Sequence, residues 1–206
     1  MRRRGFTIWQ AVVILALVAI AAIILFPALF VRVNPAPRRS TCQSHLKQIS
    51  LGIVQYIQDS DNKFPLTYMN DVTISTETTF GWADTIQLFK ISQETFWCPT
   101  QIENGVRNNQ EKKPSDRDYT DYFFNRRLAG IEEKKIKSSS LTIMLGEGND
   151  GTDAANARYS LSTLPAAWKS DKFSPLYRHI GGSNYAFADG HVKWMKAETN
   201  QSLAIQ

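Results

Sequence analysis

Two cysteines, three histidines and a short acidic string are the residues with chemistry to offer in this 206-residue chain. His179 precedes Asp189-Gly190 by nine intervening residues, and Glu147 and Asp150 follow an apolar run. A histidine oriented by a carboxylate can act as a general base, so His179 and Asp189, with Glu147 and Asp150 nearby, are the place to look for an enzyme. The competing reading is structural. Asp-Gly between two alternating runs marks a hairpin in its own right, and a histidine beside it can serve the backbone. The chain lacks a G-x-S-x-G elbow, an H-E-x-x-H helix and a phosphate-cradling glycine loop. No catalytic residue is assigned, and the chain is not expected to be an enzyme.

Cys42 and Cys98 have neither Cys-x-x-Cys nor Cys-x-x-His spacing, so no metal site is expected at them. In an oxidising compartment the pair is expected to form a disulfide, and closing so long a loop would stabilise by about 4 kcal/mol. The alternative is two separate buried thiols. No cofactor is expected, with calcium as the one candidate. Glu147, Asn149, Asp150 and Asp153 offer hard oxygen ligands on a glycine-containing segment, but outside the EF-hand pattern.

These residues need elements to position them. Leu46, Ile49, Ile53 and Ile57 recur at helical spacing after Ser40-x-x-Gln43, which fits a capping box, so a helix is expected from Ser40 or Thr41 to about residues 59–62. Asn34-Pro35-Ala36-Pro37 should break the chain before it, because proline supplies no helix amide and restricts its predecessor. Residues 82–89 suit a short helix with Ile86 and Phe89 inward, and residues 140–146 a central strand. Residues 184–188 and 191–195 alternate about Asp189-Gly190, predicting a two-residue turn with Tyr185, Phe187, Val192 and Trp194 on one inner face. The fold class expected is α+β, with a long helix on a small antiparallel sheet.

The N-terminus is the other strong signal. Arg2, Arg3 and Arg4 lead into Gly5-Phe6-Thr7, and no charge recurs until Arg32. As a helix, residues 6–31 would extend about 39 Å, enough for a hydrocarbon core of about 30 Å and too long for a signal-peptide core. The net charge of +5 includes those three arginines. The remainder is nearly balanced, which gives no case for a nucleic-acid partner.

The basic leader, Gly5-Phe6-Thr7 and the unbroken apolar run resemble the N-terminus of type IV pilins and type II secretion pseudopilins. His179 to Gly190 resembles the H-X9-DG motif of a domain found with prepilin-type N-termini, and Cys42-x-Ser44-x-Leu46-Lys47-Gln48-Ile49 and Trp97-Cys98-Pro99 also look like that family. The resemblance implies a leader at 1–5, a membrane helix at 6–33 and a pilin-like head at 34–206, with the helix broken near Pro35 and Pro37. It implies cleavage by a prepilin peptidase between Gly5 and Phe6, methylation of Phe6, and a kink at Pro27. Gln10 departs from the family, which usually has a glutamate there for assembly. The implied role is structural: a single-pass inner-membrane subunit with a cytoplasmic N-terminus and a periplasmic or extracellular head. Its implied partners are the peptidase, other pilin-like subunits and the membrane. The competing class is a membrane-anchored extracytoplasmic enzyme or binding module.

Overall fold

The computed structural model describes residues 8–30, 36–70, 79–103, 110–114, 116, 119–149 and 157–200. Gly5, Phe6, Asp150 and Asp153 lie outside the described residues, as does the segment 31–35 where the break was expected. The chain divides into two compact units, Met1–Asn34 and Pro35–Gln206.

The first unit contains helix α1, Ile8–Phe30, 23 residues with no acidic or basic residue in its terminal turns. Pro27 sits within it without ending it. Side chains are described for residues 8–23, and all of these are exposed. Over the described residues no helix is both long and apolar enough to cross a membrane.

The second unit opens with α2, Ala36–Asp59. The helix starts earlier than the capping box suggested. Pro37 falls in the first turn, where a helix does not need the amide that proline lacks. Leu46, Ile49, Ile53 and Ile57 form the expected buried stripe, and Cys42 extends it by one turn towards the N-terminus. The helix ends at consecutive left-handed residues, Asp61 (φ 52°) and Asn62 (φ 55°), with the Asn62 amide donating back to Ile57 O at 3.0 Å.

After α2 come β1 (Tyr68–Asn70) and β2 (Thr79–Gly81), an antiparallel pair, then α3 (Trp82–Thr85), a 3₁₀ turn at Ile86–Phe89 and α4 (Pro99–Glu103). Ile86 is buried and Phe89 half-buried, as the spacing predicted. The main sheet follows: β3 (Tyr122–Asn125), β4 (Ile143–Glu147), β5 (Ser160–Leu161), β6 (Gly182–Phe187) and β7 (Val192–Lys196), with α5 (Ala166–Ser170) before β6 and α6 (Ala197–Asn200) after β7. Its order is β5-β3-β4-β6-β7. Pairing is antiparallel except that β5 joins β3 in parallel, which makes the sheet mixed where a wholly antiparallel one was expected.

Both faces of the sheet are covered, so β3, β4 and β6 are buried at every position. On one side α2 packs with Trp82, Phe96, Tyr122, Phe124, Leu145 and Ala186, and the Trp82 and Phe124 rings stack at 5.7 Å. On the other lie Phe123, Ile143, Trp168, Leu176, Tyr185 and Phe187. A bulge between Ile143 and Leu145 places Met144 and Leu145 both on the α2 side, as an extra residue in one strand does.

The last hairpin corrects the expected register. Ala186 pairs with Val192 and Tyr185 with Lys193, one residue away from a two-residue Asp189-Gly190 turn. The Gly190 amide donates to Phe187 O at 2.8 Å and the Phe187 amide to His191 O at 2.9 Å, while Gly190 has φ 82° and Asp189 is not in the left-handed region. This is a three-residue loop closed by a left-handed glycine. A one-residue slip reverses faces, so Val192 joins the α2 side while Tyr185 and Phe187 face away.

Candidate functional site: a buried cluster of two thiols, a carboxylate and an imidazole

Four elements bring one polar residue each to a single point in the interior. Cys42 comes from the first turns of α2. Cys98 immediately precedes α4, where its amide donates to Asp121 Oδ2 at 2.7 Å. Glu147 is the last residue of β4, opposite Tyr122 of β3. His179 stands at the head of β6 in a tight turn, with the His179 amide donating to Gly182 O at 2.8 Å and the Gly182 amide returning to His179 O at 3.2 Å. Within that turn Ile180 has φ 54°. A β-branched residue in the left-handed region is an outlier, kept because its surroundings over-determine the turn.

The ligating atoms of Cys42, Cys98, Glu147 and His179 all lie within 4.8 Å of one another, and all four residues are buried. The two Sγ atoms are 2.8 Å apart. His179 Nε2 lies 2.9 Å from Glu147 Oε1 and 3.6 Å from Cys98 Sγ. Glu147 is held from three further directions. Ser183 Oγ (3.1 Å) and the Asn184 amide (2.8 Å) donate to Oε2, and Asn184 Nδ2 (3.0 Å) donates to Oε1. The side chains of His179 and Glu147 are 2% and 0% exposed, so this pair is sealed from water.

The electrostatics follow from burial and proximity. Burial opposes charge on His179, but the Cys98 and Glu147 contacts outweigh it and push its pKa up to about 9. Burial also works to raise Cys98. The hydrogen bonds with Cys42 and His179, then the charges of Arg178 and His179, prevail and hold it well below the ordinary thiol value. Cys42 is raised, chiefly by its contact with Cys98 and by burial. Burial works against the Arg178 charge too, yet Cys98, Asp121, Glu147 and Cys42 together keep the guanidinium firmly protonated.

The structure therefore joins some expected residues and separates others. Cys42 and Cys98 meet, as a disulfide pair would, with their Sγ atoms 2.8 Å apart. His179 has a carboxylate partner, and it is Glu147, not Asp189. Asp189 lies at the other end of β6, where Oδ1 accepts from the His191 amide at 3.1 Å and contacts His191 Nδ1 at 2.6 Å. Gly190 closes the loop and its carbonyl accepts from Lys47 Nζ at 2.7 Å. The two ends of the H-X9-DG motif thus do different work. Of the calcium set, Glu147 turns into the cluster and Asn149 Nδ2 donates to Thr120 O at 2.9 Å, while Asp150 and Asp153 lie outside the described residues. Gln10 and Pro27 lie on α1, in the other unit.

Sequence spacing missed the cluster because its members are scattered over 138 positions, with no two on one element. One signal was available. Cys42 falls on the helical stripe of Leu46, Ile49, Ile53 and Ile57, which marks it as buried.

A family model described as "Protein of unknown function (DUF1559)" matches residues 33–88. The match takes in α2 and Cys42 and leaves Cys98, Glu147 and His179 outside. No curated protein and no solved structure matches the chain.

Proposed function

We propose that this chain is a pilin-like or pseudopilin subunit, cut by a prepilin peptidase between Gly5 and Phe6 and built into a type IV pilus or a type II secretion-type filament. The observation that carries the proposal is α1. It forms 23 residues of the charge-free run between Arg4 and Arg32 as one helix, with no acidic or basic residue in its terminal turns. Apart from Gln10 its described side chains are apolar, with Trp9, Leu15 and Ile23 at 75%, 69% and 72% exposure. A helix that is apolar all round belongs in lipid or among other helices.

The head supports the same reading. A helix of 24 residues whose buried stripe rests on a mixed sheet is a suitable rigid body to carry on such an anchor. The family match over residues 33–88 is compatible with it. In this proposal Phe6 becomes the mature N-terminus, copies of α1 pack together, and the head lies outside the inner membrane. Gln10 offers hydrogen bonds where the resembled family has a carboxylate, so it cannot neutralise the terminal ammonium of a neighbouring subunit.

Mass spectrometry of the N-terminus, on protein from its native membrane, tests the proposal. The expected species begins at a methylated Phe6. An intact Met1, or a cut beyond residue 31, overturns processing. Filament incorporation tests assembly: Gln10→Glu is expected to raise it, and an unchanged or lower yield counts against a role for that position.

A further inference from the structure

We propose that Cys42, Cys98, Glu147 and His179 form a structural site for a divalent cation of the zinc class, buried in the head. The inference concerns the second unit alone, so it stands or falls independently of N-terminal processing.

The donor set is the first argument. Two thiols, an imidazole nitrogen and a carboxylate oxygen make a mixed soft and borderline set, which suits zinc and related ions over calcium or magnesium. Bond lengths of about 2.0–2.3 Å put the edges of a tetrahedron at about 3.3–3.8 Å. The Cys98 Sγ to His179 Nε2 separation, 3.6 Å, already falls in that range. The Cys42 to Cys98 edge is 2.8 Å and the His179 to Glu147 edge 2.9 Å. The thiols must therefore part by about 1 Å and the imidazole and carboxylate by about half that. Such shifts lie within reach of side-chain rotation, and no donor pair starts further apart than 4.8 Å.

The surrounding shell is the second argument. Metal-binding side chains are held in place by hydrogen bonds from behind, and Glu147 has three such donors in Ser183 Oγ and the Asn184 amide and Nδ2. Two buried oxygens have no hydrogen-bond partner among the described residues and belong to this neighbourhood: Tyr122 Oη and Asn184 Oδ1. Asn184 is bonded to Glu147, and Tyr122 is the residue paired with Glu147 across β3 and β4. Orphaned polar atoms gathered round one cluster are a sign of an absent ion or its water.

A disulfide is the competing use of the same sulfurs. It would employ two of the four donors and give no reason for Glu147 and His179 to converge on them. It also excludes the metal, since a zinc-class ion binds thiolates. The two states are therefore separable by composition.

The experiment uses the full chain, purified in detergent without chelator and under exclusion of air. Elemental analysis is expected to find about one zinc-class ion per chain, with both thiols present and unreactive until the chain is denatured with chelator. Replacement by Co²⁺ should give an intense thiolate charge-transfer band together with the red-region bands of a tetrahedral ion. Ser183→Ala, which removes one support of Glu147 and no ligand, should weaken Co²⁺ binding about 10-fold or more. Cys98→Ser should abolish the charge-transfer band or sharply reduce it. Metal well below one per chain, a mass lighter by two hydrogens, or a Co²⁺ spectrum lacking thiolate bands overturns the site. The wild-type measurements decide even where a variant fails to fold.

Discussion

Replacing His179 by glutamine in the metal-free, reduced chain removes the imidazole from a carboxylate that is 0% exposed. Glu147 would keep Ser183 and both nitrogens of Asn184 but lose the partner 2.9 Å away. Deleting one member of a buried pair costs about 3–5 kcal/mol. The raised pKa of His179 reflects its contact with Cys98 as well as with Glu147, so it overlaps this figure and the two are not summed. His179 moves from 6.5 to about 9, and each unit is about 1.4 kcal/mol, hence about 3 kcal/mol in all. The folded pKa is the higher one. Protonated His179 therefore stabilises the fold fully below about pH 6.5, and that stabilisation is lost as pH rises through about 9. Urea unfolding of wild type and His179→Gln, with chelator and reductant at about pH 6 and about pH 9.5, reads both quantities. At the lower pH the variant should be weaker by about 3–5 kcal/mol; at the higher pH the two curves should converge to within about 1–2 kcal/mol. A gap under about 1 kcal/mol at low pH, or one that does not shrink on raising pH, refutes the reasoning.

Three glycine and turn substitutions test the backbone of the head by thermal melting. Gly190→Ala keeps the left-handed φ of 82° and brings its Cβ only to ordinary contact, 3.8 Å from Val54 Cγ2; the cost is conformational, about 1–2 kcal/mol, and an unchanged melting temperature would speak against it. Gly81→Ala drives a Cβ into Ala157 O, against backbone that cannot rotate away. It should cost about 3 kcal/mol, and a loss no larger than that of Gly190→Ala would be contrary to the packing described. Ile180→Asn relieves a β-branched residue at φ 54° that is 57% exposed. A gain of about 0.5–1 kcal/mol is expected, and destabilisation would show that the exposed isoleucine contributes a contact.

The features legible along the chain are local and periodic. The stripe of Leu46, Ile49, Ile53 and Ile57 specified the buried face of α2, because helical spacing fixes which side chains share a side. The apolar run at 6–31 pointed to a helix by its length alone, and α1 occupies Ile8–Phe30 of it. Asp189-Gly190 specified that a hairpin exists, since a left-handed glycine is needed there. Its register was not legible. A two-residue and a three-residue loop use the same dipeptide, and only the packing of Ala186 and Val192 towards α2, with Tyr185 and Phe187 on the far side, selects between them. Parallel pairing of β5 was equally hidden, because two residues at 160–161 carry no pattern of their own. The cluster was the least legible feature. His179 with Glu147 nearby was visible as a candidate site and Cys42 with Cys98 as a pair, yet nothing in the sequence joined the two sets. The burial of Glu147 depends on β4 ending beneath the His179 turn, a convergence of separate elements that no spacing along the chain encodes.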